Sequence, residues 1–290
     1  MKASGNLSDR IFNIANTIFM LLIVLVTLYP FWYVVVVSFS TIDHVVGNDF
    51  ILWPNGLHWD AYEQVFRNNL IPTAYRNTLF VTIAGTLLSM LLTILGAYVL
   101  SLRNLPGRTG LTLFVVLTML FGGGMIPYYL VVSSLGLIDS LWALIIPGCI
   151  SSYNMILMRN FFQNVPDGLQ EAAMIDGVGL TGYLVRILLP LSTSALATVT
   201  LFYAVGYWND YFTSILFVRT RELWPMQRIL REVLMTAEFQ NMMYDDARQK
   251  MPPETLKNAM IVITVIPIIC VYPFIQKYFV KGVMIGSIKG

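Results

Sequence analysis

The sequence predicts an all-α integral membrane protein with six transmembrane helices, and three observations carry that prediction. Hydrophobic residues make up 57% of the chain and charged residues only 12%, where soluble domains hold about 25% charged. Six apolar stretches are long enough, or nearly so, to cross a hydrocarbon core, which takes about 20 helical residues. One interval between two of them, Val165 to Leu191, is polar and punctuated enough to fold outside the bilayer. Residues 1–290 therefore read as a single transmembrane domain, and a mean hydropathy of +0.68 agrees. Spans and connecting loops take up the length and leave no room for a soluble catalytic domain.

The first span covers about residues 12–39. Lys2 and Arg10 before it mimic a secretory leader, whose apolar region is about 7–15 residues long. Here the apolar run continues through Tyr29-Pro30-Phe31-Trp32, so the segment is expected to be retained as a span. His44 and His58, the only histidines, fall in the following loop and read as solvated side chains, with no metal site. The second span, about 75–101, carries Gly85, Ser89, Thr93 and Ala97 at four-residue spacing. Such small residues let helices approach closely, so the stripe is assigned to helix packing and not to substrate.

The third span, about 110–132, is interrupted by Gly122-Gly123-Gly124 and Pro127, and the fourth, about 140–160, by Pro147-Gly148. Broken helices persist in a membrane where they line a cavity or are buried in protein. The 121–130 region is thus a candidate pathway lining or outer gate, with a re-entrant bend of purely packing role as the open alternative. The fifth and sixth spans cover about 190–218 and 257–280.

The loop from 161 to 189 reads as a helix–turn–helix element. Pro166 cannot continue a preceding helix, and Asp167 with Gln170 three residues on fits a capping box. A helix of about two to three turns should follow, with Leu169, Ala172, Ala173 and Ile175 at its apolar and small positions. Gly177 falls where a left-handed residue would end it. A second cap at Thr181 starts an amphipathic segment, Tyr183 to Leu189, which Pro190 punctuates. The product is a short helix with Glu171 on its surface, suited to plug a partner's groove.

Between the fifth and sixth spans, Leu223 to Ala237 places Met226, Ile229, Leu230, Val233 and Leu234 at helical spacing, which predicts an amphipathic helix. Residues 240–254 read as loop. Asp210, in Tyr207-Trp208-Asn209-Asp210-Tyr211, is an ionisable group in an apolar run, and such groups mark a pathway or a buried pair. With Tyr203, Trp208 and Asn209 it forms a candidate pathway or substrate set suited to a hydroxyl-rich ligand. An aromatic belt at the membrane interface is the other reading.

Several chemistries are excluded. A net charge of +2 without a basic run gives nucleic acid no footing. GxxxxGK[ST], HExxH, CxxC and GxSxG do not occur, so no catalytic residue or bound cofactor is expected. Cys149 and Cys270 sit in apolar runs and read as small hydrophobes, without a disulfide.

Glu171-Ala172-Ala173, Gly177, Ile187 and Leu189-Pro190 together match the EAA signature, and the chain resembles the permease subunits of ABC importers, with their MetI-like fold. Arg76-Asn77-Thr78, Asn160-Phe161-Phe162, Val165-Pro166, Trp208-Asn209 and the ending Gly286 to Gly290 are similar to the sugar-type group that includes the second permease of the maltose importer. The 122–127, 202–209 and 225–232 stretches look more like its LplC-type branch, associated with import of complex oligosaccharides, including products of acidic polysaccharides.

The resemblance implies an oligosaccharide importer permease whose 167–177 helix is a cytoplasmic coupling helix. Glu171, Ala172, Ala173, Asp176 and Gly177 would meet an ATPase, and Gly286, Lys289 and Gly290 would form a tail contact with it, although by composition the tail from Lys281 reads as mobile. Implied partners are a homologous permease, two ATP-binding subunits carrying ATP and magnesium, and an extracytoplasmic solute-binding protein in a bacterial cell membrane. Both termini would be cytoplasmic. The basic residues do not decide this orientation: nine fall on the inner segments and nine on the outer, seven of them in the 219–257 stretch. A secondary carrier should show paired repeats and intramembrane charges; no clear repeat and few such charges are present here. A permease for a non-sugar substrate stays open.

Overall fold

The computed structural model describes residues 7–45, 51–67, 69–243 and 254–287. All regular elements among them are helical. They divide into two compact units, Met1–Asn68 with Glu232–Val265, and Asn69–Arg231 with Ile266–Gly290.

In the first unit, α1 (Leu7–Ser38) is 32 residues long, enough to cross a bilayer. Its side chains from Ile11 to Phe31 are almost all apolar and exposed, as expected of a helix whose solvent is lipid. Only its last turns are buried, where Val36 and Val37 pack with Val45 and Ile51. Two short helices follow, α2 (Ile42–Val45) and α3 (Asp60–Arg67). They are tied back by a hydrogen bond between the Ser38 and Tyr62 hydroxyls, 2.8 Å, and by the Trp32 indole, which donates to the Leu52 carbonyl, 2.8 Å. Phe39, Trp59 and Tyr62 close the corner with tilted and edge-on ring contacts.

The second unit is organised on α4 (Leu70–Ser101), also long and apolar enough to span. Gly85, Ser89, Thr93 and Ala97 lie buried on it, as helix packing requires. The expected third span is instead two helices, α5 (Arg108–Leu120) and α6 (Met125–Ser134), bent 113° apart. Gly124 adopts φ +85°, a conformation that L side chains rarely take, and the break falls there. Pro127 sits in the first turn of α6, where its missing N–H is harmless.

The expected fourth span is shortened in the same way. A 3₁₀ turn (Leu141–Leu144) and an irregular stretch across Pro147-Gly148 precede α7 (Ser152–Gln163).

The next segment contains α8 (Asp167–Ile175), α9 (Leu180–Tyr183), a π-helical stretch (Leu184–Leu188) and α10 (Leu189–Leu191). Two expectations fail by a residue or two. Pro166, not Asp167, is the N-cap of α8, and Gly179, not Thr181, is that of α9. The π turn lies just before Pro190, with the Leu189 amide reaching back to the Leu184 carbonyl. Widening the helix there accommodates a proline ring that would clash with a carbonyl four residues back. The chain then bends by 84° into α11 (Thr193–Asn209), followed by α12 (Phe212–Phe217) and a 3₁₀ turn (Arg221–Leu223).

The predicted amphipathic helix is present as α13 (Met226–Met243), starting three residues later than expected and running into the stretch read as loop. Met226 and Ile229 are buried on it. The last helix, α14 (Glu254–Ser287), passes the expected end at residue 280. Gly286 is therefore in its final helical turn and not in a free tail, while Lys289 and Gly290 lie outside the described residues.

Candidate functional site

Helix α8 ends in a complete backbone cap. Gly177 has φ +78° and donates to the Met174 carbonyl at 3.1 Å, and Val178 donates to that of Ala173 at 2.9 Å. This paired arrangement needs a residue that tolerates the left-handed region, which explains glycine at 177. Ala173 is the seat of the helix, 4% exposed in a core cluster with Tyr98, Phe162, Tyr183 and Leu188. Tyr98 also donates from its hydroxyl to the Leu180 carbonyl, 3.0 Å, which pins the turn after α8 onto α4.

The opposite side of α8 is open. Glu171, Ala172 and Asp176 are exposed, and Ile175 is 86% exposed. Of the two signature alanines, then, one packs inward and one faces out. A cavity of about 490 Å³ flanks the helix, and Arg103, Gln170, Glu171, Met174 and Tyr183 are among its lining residues. Arg159 donates from Nε to the Leu100 carbonyl, 3.1 Å, placing a cation at the C-terminal end of α4 where the helix dipole favours one.

A second cavity, of about 460 Å³, lies where α6, α7 and α11 face one another. Tyr203, Asn209 and Asp210 line it, as do Tyr128, Asn154 and Tyr207. Trp208 does not. It is buried on another side of α11, edge-on to Tyr75. Asp210 is not inside a helix but at the break between α11 and α12, where Oδ1 accepts from the Thr213 amide at 3.0 Å.

The small-residue stripe of α4 does more than pack. Thr93 and Ser89 hydrogen-bond the hydroxyls of Tyr203 and Tyr207 at 2.7 and 2.9 Å, and the Ser151 amide donates to the Tyr203 hydroxyl at 3.0 Å. A Cβ on Gly85 would lie 2.7 Å from the Tyr207 ring, so this glycine makes room for it. Sequence reading missed Asn154 and Tyr128. An amide inside an expected span was the signal available for Asn154.

Loops at the other end of α4 are knotted together. Asn77 donates to the Glu222 and Trp224 carbonyls at 2.8 and 3.2 Å, and the Thr78 hydroxyl accepts from the Met226 amide at 2.8 Å. Asp139, a non-glycine residue at φ +61°, accepts at Oδ1 from the Arg219 and Thr220 amides and at Oδ2 from the Thr220 hydroxyl, 2.5 Å. The Thr220 hydroxyl, then its amide, are the main causes that hold the Asp139 carboxyl below the usual carboxylate range. Arg228 donates to the Ser214 and Val218 carbonyls and stacks on Trp224 at 3.8 Å. Arg219 donates to the Tyr129 hydroxyl and Arg231 stands over Tyr211. Much of the basic charge that disturbed the loop count is therefore tied into local structure. Thr78 and Tyr98, twenty residues apart on α4, are separated by about 30 Å of helix, so these loops and the α8 turn lie at opposite ends of a membrane-length rod.

A spanning scaffold of broken helices with an exposed, self-capped EAA helix at one end defines an ABC importer permease. Residues 102–285 match the binding-protein-dependent transport system inner membrane component family, and the chain belongs to it. It is 46% identical to the polygalacturonan/rhamnogalacturonan transport system permease protein YtcP of Bacillus subtilis, over 98% of this chain and 100% of that one. It is 42% identical to the protein LplC of the same organism, over 98% and 96% of the two chains. Among solved structures, a chain of a bacterial ABC transporter involved in the import of the acidic polysaccharide alginate superposes with a TM-score of 0.86 at 35% identity, covering 95% of this chain and 99% of that one. The chain is thus a transport component of a membrane and not an enzyme.

Proposed function

We propose that this chain is one of two permease subunits of an ATP-driven importer of carbohydrate, an oligosaccharide, in a bacterial cell membrane. The substrate class rests on what its relatives carry: a polygalacturonan/rhamnogalacturonan permease and a chain of an alginate importer are similar along nearly the whole chain. Hydrolysis of ATP, with its magnesium, falls to two separate ATP-binding subunits. A homologous permease completes the pathway, and an extracytoplasmic solute-binding protein delivers the substrate, in keeping with the family's dependence on binding proteins. Both termini lie in the cytoplasm, on the side of α8.

The single observation that carries the coupling role is the exposed face of α8, which presents Glu171, Ala172 and Ile175 outward while Ala173 fixes it to the core. Leaving Ile175 open to water makes no contribution to the isolated chain, and burial against a partner would recover about 1.5–3 kcal/mol. Glu171 supplies a charge-assisted contact to the ATPase, Asp176 stands beside it, and Gly177 sets the turn. When ATP closes the ATPase dimer, the helix moves with its socket and the spans rock. Gly286, Lys289 and Gly290 serve as a second contact.

Substrate-stimulated ATP hydrolysis by the reconstituted complex tests this. Glu171→Lys should insert and accumulate like wild type yet lose stimulation at least tenfold, on the order of one charge-assisted hydrogen bond. Wild-type stimulation in that variant refutes the coupling role.

A further inference from the structure

The 460 Å³ cavity between α6, α7 and α11 holds polar groups that the fold does not use. Asn154 is 6% exposed and lines the cavity; its backbone N–H donates to the Ser151 hydroxyl, and its side-chain amide makes no hydrogen bond to the described residues. That amide is open to the cavity and free to take a ligand's hydrogen bonds. Asp210 uses Oδ1 to receive the Thr213 amide, and its Oδ2 accepts nothing from the described residues. Around these two groups stand the rings of Tyr128, Tyr203 and Tyr207, the last two clamped by the hydroxyls of α4. Lys and Arg do not occur among the described residues that line the cavity.

We infer that this chain itself contacts the translocated saccharide here, through a subsite that takes the neutral hydroxyl-bearing face of a pyranose unit and turns away its carboxylate. The inference rests on the carbohydrate reading above and names which part of the sugar this subunit sees. A carboxylate oxygen accepts from a hydroxyl, and an amide accepts from one hydroxyl and donates to another, so Asp210 and Asn154 together match neighbouring hydroxyls on one ring. Flat aromatic faces suit the C–H side of that ring, with the polar groups beside them fixing its orientation. A uronate group would meet the Asp210 charge with no cation among the described lining residues to offset it, and like charges placed together discriminate strongly against a ligand. An acidic saccharide such as a fragment of polygalacturonan or alginate would therefore present a hydroxyl face, not a carboxylate, to this subunit.

The test uses the complete importer in proteoliposomes, with its own ATPases and binding protein. Trigalacturonate and an alginate trisaccharide are each compared with their carboxyl-reduced neutral forms, and uptake is measured per assembled complex. Asn154→Ala should lower uptake of every transported saccharide about tenfold. Asp210→Asn keeps an Oδ1 acceptor for Thr213, and so the start of α12, but removes the charge; it should raise the uronate-to-neutral uptake ratio about tenfold. An unchanged ratio in Asp210→Asn overturns the subsite even if Asn154→Ala is impaired, because a merely structural defect would lower both saccharides alike. If wild type takes up none of the four, the carbohydrate reading falls and the subsite with it.

Discussion

The two ends of α4 are held by different means. At its C-terminal end, α8 is closed by its own backbone, seated by one small side chain and tied through Tyr98, and its outward face carries Ile175 and Glu171, both exposed. At its N-terminal end, loops separated by 80 residues and more are joined by side chains: Asp139 to Thr220, Asn77 to Glu222, Thr78 to Met226. One end is complete in itself. The other is a rigid stub whose exposed apolar surface has value only against another protein. The coupling role proposed for α8 needs a stiff internal geometry and a free face, and α8 has both.

The comparison breaks most visibly at Arg228. Its guanidinium satisfies the carbonyls of Ser214 and Val218 at the end of α12 and stacks on Trp224. Arg228→Ala leaves those acceptors without their cation and should cost about 2–4 kcal/mol, read as a lower Tm of the purified protein. Arg228→Lys should recover little, since an ammonium neither bridges two carbonyls in one plane nor stacks. If Arg228→Ala melts at the wild-type temperature, the knotted end is not held as described.

Next comes Gly177. Its φ of +78° makes Gly177→Val unfavourable by about 1–2 kcal/mol, although no atom would crowd the added Cβ. Gly177→Asn should be milder because asparagine visits the left-handed region more readily. The check is Tm together with recovery of the ATPase in pull-down, and equal behaviour of the two variants contradicts the cap.

A smaller effect, confined to the knotted end, depends on pH. Asp139 is held below its ordinary pKa by Thr220 and Arg219 donors. The sign follows: its contribution is fully present above the ordinary carboxylate range and is lost as pH falls through the lowered pKa of the folded state. Hydrogen exchange at the Arg219 and Thr220 amides should accelerate in acid beyond the intrinsic rate change, while the Val178 amide, whose acceptor is a backbone carbonyl, should not respond. Equal responses at both ends would remove the distinction.

The smallest effect on stability should come from Ile175→Ser. The side chain is exposed, so Tm should shift by less than about 0.5 kcal/mol equivalent, yet ATPase binding should weaken. A destabilised chain would mean that α8 is covered by its own protein after all.

How much of this was legible beforehand differs between elements. Composition and apolar run lengths settled a helical membrane chain, because a bilayer permits few other ways to satisfy a spanning backbone. The end of α8 was legible at Gly177, and the weak points of the third and fourth spans at Gly122-Gly123-Gly124 and Pro147-Gly148, since glycine and proline act on local dihedrals. The caps at Pro166 and Gly179 were missed by one or two residues, as helix starts are set by neighbouring packing as much as by the capping residue.

What the sequence determined by itself is whatever depends on a few consecutive residues: spans, breaks, turns and the EAA spacing. The tertiary structure alone decided which side chains meet. It turned Ala173 inward and Ala172 outward, took Trp208 off the cavity that Asp210 lines, brought Asn154 onto it, and gave the α4 stripe its tyrosine partners across more than a hundred residues. The physical reason is rotation about the helix axis. Periodicity shows that a helix has faces, but which neighbour each face meets is fixed only when bends of 113° and 84° have set the helices against one another.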